Sequence, residues 1–165
     1  MRQYLGLISA VVAYYIFHEG AHLVYALAAG VFRQINFMGL GMQIDVYAEN
    51  MTDTQLGVFC LVGSLATLAA AYILVLLADK IGRLRSKVMK ACFYYITIAM
   101  LLLDPAYLCI IFKLFGGGDM NGIALLVPQT AAQIAYGVLL ALNILVFWKV
   151  VLPKYKRAFA ADGNE

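Results

Sequence analysis

The sequence predicts an all-α polytopic membrane protein of about four transmembrane helices, with a short membrane-associated β-hairpin after the first. Three observations lead there. Of the 165 residues, 64% are hydrophobic and 13% charged, against roughly 45–50% apolar and about 25% charged in soluble domains. The charges are clustered, which leaves nearly uncharged runs of the ~20 residues needed to cross a hydrocarbon core. After the first run the apolar residues change from continuous to alternating, and alternation is the period of a strand. Four spans with short connections leave no room for a separate soluble domain. The net charge of +3 is small and local, so it reads as topology rather than as a nucleic-acid surface. Cys60, Cys92 and Cys109 stand singly without CxxC spacing, which indicates neither a disulfide framework nor a thiolate metal site.

The first apolar run, Leu5 to Ala29, is interrupted only by His18, Glu19 and His22. Arg2 before it and Ala26-Leu27-Ala28 near its end imitate a secretory signal, but a cleavable signal has no reason to carry three ionisable residues after its apolar core. The run is read as a span. Residues about 31–50 follow, with Ile35 and Phe37, a Gly39-Leu40-Gly41 turn, then Met42, Ile44 and Val46. Period two around glycines predicts a hairpin, with Asn36, Gln43 and Asp45 on its polar side, and an irregular surface loop is the alternative.

Leu56 to Ala78 forms the second span, and Gly57, Gly63, Ser64, Ala66, Thr67, Ala69, Ala70 and Ala71 give it a face suited to close helix packing. Between Asp79 and Lys90 stand Lys80, Arg83, Arg85, Lys87 and Lys90. The third span, Ala91 to Phe112, contains Asp104-Pro105, and Gly116-Gly117-Gly118-Asp119 then breaks the pattern. The fourth run extends from Ile123 to Val151 with Pro128 in its first turns, and a basic, then polar tail from Pro153 frays over its last residues. Because Lys and Arg concentrate in cytoplasmic loops, the loop of residues 80–90 and the tail are expected inside, with both termini. The connection holding Asp45, Glu49 and Asp53 is then expected outside. The expected location is the cell membrane of a prokaryote.

His18-Glu19-Gly20-Ala21-His22 fits HExxH, within a segment that must be helical because lipid tolerates no unpaired backbone. Residues i and i+4 share a helical face, so both imidazoles can address one ion while the glutamate reaches a water beside it. Zinc acidifies such a water toward a pKa of ~7, and a neighbouring glutamate then acts as general base. These are the only two histidines in the chain, and ionisable residues inside a span are costly enough to imply a task. Two other readings of the trio are polar contacts between helices without metal, and metal binding without hydrolysis. One Zn2+ per chain needs a third protein ligand from another segment. Asp119 is the first candidate, because the glycines before it let irregular backbone approach a cavity. Asp104 is the alternative, as a ligand or as a partner to one, since a carboxylate within a span is expected to have a partner. Asn121 can orient a ligand or a carbonyl, though asparagine is common in turns.

With these motifs the chain resembles the site-2 protease family of intramembrane zinc metalloproteases, in a minimal form. The similarity begins at His18-Glu19-Gly20-Ala21-His22 and continues through Leu23 to Gly30 and the hairpin of Val31 to Val46. Val62-Gly63-Ser64-Leu65-Ala66-Thr67 is similar to the family's Ala-Gly-Pro-x-x-Asn, with serine for proline and threonine for asparagine. Asp119-Met120-Asn121-Gly122 stands where the family carries Leu-Asp-Gly, with Gly118 in place of the leucine. The resemblance covers about residues 5 to 125. It implies a three-helix catalytic core, zinc held by His18, His22 and Asp119, and Glu19 as general base. It also implies cleavage of membrane-spanning helices near their ends, often after a first cut by another protease. The family's hairpin usually faces the cytosol, the opposite of what the basic loop predicts here.

The leading functional expectation is an intramembrane zinc metalloprotease acting on a membrane-spanning protein or a signal-peptide-like substrate in the lipid bilayer. The substrate is expected as an extended strand against Ile35, Phe37, Met42, Gln43 and Ile44, because an unwound peptide in lipid needs replacement hydrogen bonds. A catalytically silent relative that binds membrane partners is the alternative, and the retained Glu19 favours the enzyme. A polytopic metal transporter is a third reading, but no second cluster of intramembrane ligands follows the first.

Overall fold

A chain in lipid must satisfy its backbone internally, and this one does so almost wholly with helices. The computed structural model describes residues 2–38, 41–115 and 118–161. Helix α1 (Arg2–Ala28) leads into strands β1 (Phe32–Met38) and β2 (Gly41–Val46). Then follow α2 (Asp53–Gly82), α3 (Lys87–Ala106), the short α4 (Asp119–Ile123), α5 (Gln129–Val146) and α6 (Leu152–Ala161). Four helical stretches among the described residues are long and apolar enough to cross a membrane: Arg2–Ala28, Asp53–Gly82, Lys87–Leu114 and Gln129–Ala161. The expected architecture of four candidate spans with a hairpin after the first is the one observed.

Burial follows the logic of a lipid solvent. Leu7, Ile8, Val24, Leu76, Ile134 and Val138 face outward, while Ser64, Thr67, Thr97, Asp104 and Asn143 are fully shielded. Polar side chains inside a bundle replace water with one another. Helices α1, α2 and α3 pack mutually, α5 lies on α3, and α4 lies on α2. The last approach depends on absent side chains: a Cβ on Gly57 would come 3.0 Å from the Gly122 carbonyl, and one on Gly122 would strike Cys60.

Helix α2 starts with a reciprocal cap, in which Thr52 Oγ1 accepts from Gln55 N and Gln55 Oε1 from Thr52 N. Pro105 sits inside α3, where it cannot donate to the carbonyl one turn back. That carbonyl, on Leu101, instead accepts from Asn143 Nδ2 of α5 at 2.6 Å, and Asn143 Oδ1 accepts from Tyr72 of α2 at 2.6 Å. Beyond the proline the helix loosens into a π turn, Tyr107–Ile111, and a 3-10 turn, Phe112–Phe115.

The hairpin is antiparallel, with Ile35 opposite Ile44 and Phe37 opposite Met42, and an irregularity between Phe32 and Gln34. Ile44 is buried with Ala26, Val31 and Phe59, so β2 is seated on the bundle. Gly39 and Leu40 of the expected turn, and Gly116 and Gly117 of the expected break, lie outside the described residues.

The largest departures from the expected boundaries are at the fourth span and the tail. The fourth span begins at Gln129 rather than Ile123, because Pro128 occupies the N-cap and a residue before proline is disfavoured in helical conformation. The basic tail from Pro153 is the helix α6, continuous with α5 through a π turn at Phe147–Val151. Lys154 on α6 pairs with Asp79 of α2 at 2.7 Å. Residues 162–165 of the expected frayed end lie outside the described residues.

Candidate functional site

His18 and His22 project from one face of α1 with their Nε2 atoms 3.2 Å apart. Asp119, the first residue of α4, brings Oδ2 to 3.0 Å from His18 Nε2 and 3.6 Å from His22 Nε2. The three ligand atoms lie within 4.8 Å of one another, the one such group of metal-binding side chains among the described residues. Donors ~2.0–2.1 Å from a shared tetrahedral centre stand about 3.3 Å from each other. The separations of 3.0, 3.2 and 3.6 Å scatter around that figure. The donor set and its spacing fit a zinc ion.

Two glycines permit the convergence. A Cβ on Gly63 of α2 would fall 2.5 Å from His22 Nε2 and 2.8 Å from His18 Nε2, so that helix can line the ligand cluster only without a side chain there. Gly118 has φ +46°, a backbone state open to glycine, and it delivers Asp119 into the cluster.

Asp104 lies on the other edge of the His18 ring. Its oxygens are 3.2 and 3.4 Å from Nδ1, and it also accepts from the hydroxyls of Tyr14 and Thr67. One fully buried carboxylate thus joins α1, α2 and α3 behind the ligand. Of the two aspartates considered from sequence, Asp119 joins the histidine Nε2 atoms and Asp104 stands behind one of them. His22 Nδ1 is buried without a hydrogen-bond partner among the described residues. Its ring is held by packing, 4.7 Å from the Phe59 ring and 4.9 Å from His18, centroid to centroid.

Glu19 is buried beside the cluster, and its Oε2 accepts from the backbone N–H of Ile44 at 3.0 Å. A cavity of about 400 Å³ opens over these groups, walled by Tyr14, Tyr15, Phe59 and Tyr107 and by Gly41 to Ile44 of β2. Met42, Gln43 and Ile44 therefore line the cavity. Ile35 and Phe37, on β1, do not line it and are exposed. Asn121 sits on α4 at the surface, outside the cavity wall.

Tyr14, Thr67 and Gly63 were not singled out as site residues from sequence. Tyr14 precedes His18 by four positions, as His18 precedes His22, so one helical face carried the signal. Thr67 follows Gly63 by the same interval on α2, but nothing local reveals that α2 turns this face to α1.

Comparison with protein-family models, with curated protein sequences and with solved structures gives no match, so the reading rests on this geometry. It defines a class: a multi-span helical membrane fold with a His-Glu-x-x-His motif and a converging aspartate able to chelate a metal ion, an arrangement consistent with a zinc-metalloprotease-like site.

Proposed function

We propose that this protein is an intramembrane zinc metalloprotease of the site-2 protease kind. It hydrolyses a peptide bond within or near a transmembrane segment of a membrane protein or signal-peptide-like substrate. The observation that carries the reading is the convergence of His18, His22 and Asp119 beside a retained, anchored Glu19. His18, His22 and Asp119 would hold the ion. Bound there, zinc supplies a Lewis acid for the scissile carbonyl and acidifies a water.

The chain's own residues do the rest. Glu19 takes a proton from the attacking water as the carbon–oxygen bond forms, and delivers it to the amide nitrogen as the carbon–nitrogen bond breaks. Asp104 accepts the Nδ1 proton of His18, which leaves the Nε2 lone pair facing the cluster. Tyr14 and Thr67 keep that carboxylate in place.

The substrate lies as an extended strand along the outer edge of β2. Backbone groups alternate between the two edges of a strand. The Ile44 N–H turns away from β1 toward Glu19, so the outward groups of β2 include those of Met42, whereas Gln43 faces its partner Asn36. Strand addition satisfies an unwound peptide without reading its side chains. Helix-breaking residues near the scissile bond then raise the rate by lowering the unwinding cost. In this reading the protein sits in the cell membrane of a prokaryote, and its basic loop directs both termini to the cytoplasm.

The test is cleavage of a panel of single-span peptides by purified, zinc-quantified protein and by Glu19→Gln. Native cleavage is expected, reduced by about 10²–10⁴-fold in the variant. A metal-loaded native chain that cleaves nothing would instead favour the catalytically silent, partner-binding alternative.

A further inference from the structure

We infer that the backbone N–H of Ile44 is a positioning group for the general base, so that seating the hairpin on the bundle completes the active site. The inference rests on the proposed protease reading and deepens it, since it assigns β2 a task besides substrate binding.

Glu19 carries a flexible side chain with three rotatable bonds, and a general base works only within hydrogen-bond reach of the proton it removes. One of its oxygens is fixed by the Ile44 N–H at 3.0 Å, and the other is left for the water. The donor is itself immobile. Ile44 is only 4% exposed, packed with Ala26, Val31 and Phe59, and the strand base is tied by Tyr47 N to the Val31 carbonyl at 2.9 Å. A charge-assisted bond from a fixed amide restricts the carboxylate at little entropic cost. The amide cannot serve β1, because it points to the opposite edge.

There is a consequence for the substrate. With Glu19 on the Ile44 amide, an added strand pairs with the outward groups of Met42 but not with the Ile44 N–H. The two positions on one edge therefore divide the labour: Met42 holds substrate, and Ile44 holds the base.

Replacing single amides by esters tests this, because an ester removes the N–H and keeps the side chain. At Ile44 the exchange should lower kcat roughly 10- to 100-fold, the effect of losing a hydrogen bond to a charged group, with KM changed less than about 3-fold and zinc content intact. At Met42 it should raise KM. In a Glu19→Gln background the Ile44 ester should cost little more, because the amide acts through that side chain. Independently of activity, Glu19→Ala should speed deuterium exchange of the Ile44 amide in metal-free protein by about 10-fold or more. Unchanged kcat in the Ile44 ester, an equal loss in both backgrounds, or unchanged amide exchange would overturn the inference. A native chain that cleaves nothing would overturn the protease reading itself.

Discussion

Asp104 and Asp119 grip the same imidazole from opposite edges: Asp104 stands 3.2 Å from His18 Nδ1 and Asp119 3.0 Å from His18 Nε2. The ring can then direct one nitrogen to an ion while the other is held by a buried carboxylate. Variants at the two positions should differ in kind. Asp119→Ala removes a donor and is expected to abolish stoichiometric zinc and activity together. Asp104→Asn keeps all three donors and should weaken zinc about 10- to 100-fold, the usual effect of losing a group that orients a ligand. Competition with a chelator of known affinity separates them, and equal zinc loss in both would mean that Asp104 is itself a ligand.

His22→Ala should likewise leave less than one zinc per chain, since only His18 and Asp119 would remain of the cluster. Elemental analysis of the purified variant checks this. Full occupancy would place the metal elsewhere.

Gly63→Ala is expected to disturb metal binding while sparing the helix. Alanine favours helix over glycine by roughly 1 kcal/mol, yet its Cβ would intrude within 2.5–2.8 Å of both Nε2 atoms. The variant should express and span the membrane normally but bind zinc at least about 10-fold more weakly. Native affinity would show that α1 and α2 can separate at no cost.

Asn143→Leu tests the proline compensation. Without the amide the Leu101 carbonyl is buried and unpaired, and Tyr72 loses its acceptor, at a cost of roughly 1–3 kcal/mol. Unfolding in detergent should register that loss, with zinc affinity little changed. A variant as stable as the native chain would show that water or a neighbour replaces the bond.

Membrane orientation is open to labelling of single cysteines. Substitutions at Ser86 and Ala160 should react from the cytoplasmic side and one at Asn50 from the other, because Lys80, Arg83, Arg85, Lys87 and Lys90 crowd one connection. The reverse pattern would put the hairpin in the cytosol, as in the family that the motifs resemble.

The sequence by itself determined what local rules control. Lipid as solvent requires closed backbone bonding, so long uncharged runs become helices. Four-residue spacing puts His18 and His22 on one face, and alternation around glycines makes Phe32–Met38 and Gly41–Val46 a hairpin. The start of α5 at Gln129 was also local, encoded by Pro128, although apolar residues on both sides of the proline make the stretch read as one run.

Only the tertiary structure decided how separate elements share one site. Asp119 and Asp104 are both carboxylates near helix irregularities, 101 and 86 positions from His18. Which of them meets Nε2 depends on the close approach of α4 to α2 through Gly57 and Gly122, and on the rotation of α3 about its own axis. The bond between Glu19 and the Ile44 amide depends on how the hairpin docks, which β-periodicity leaves undetermined. Periodicity specifies which side chains share a face. The face that each element turns toward its neighbours is set by packing the whole bundle at once.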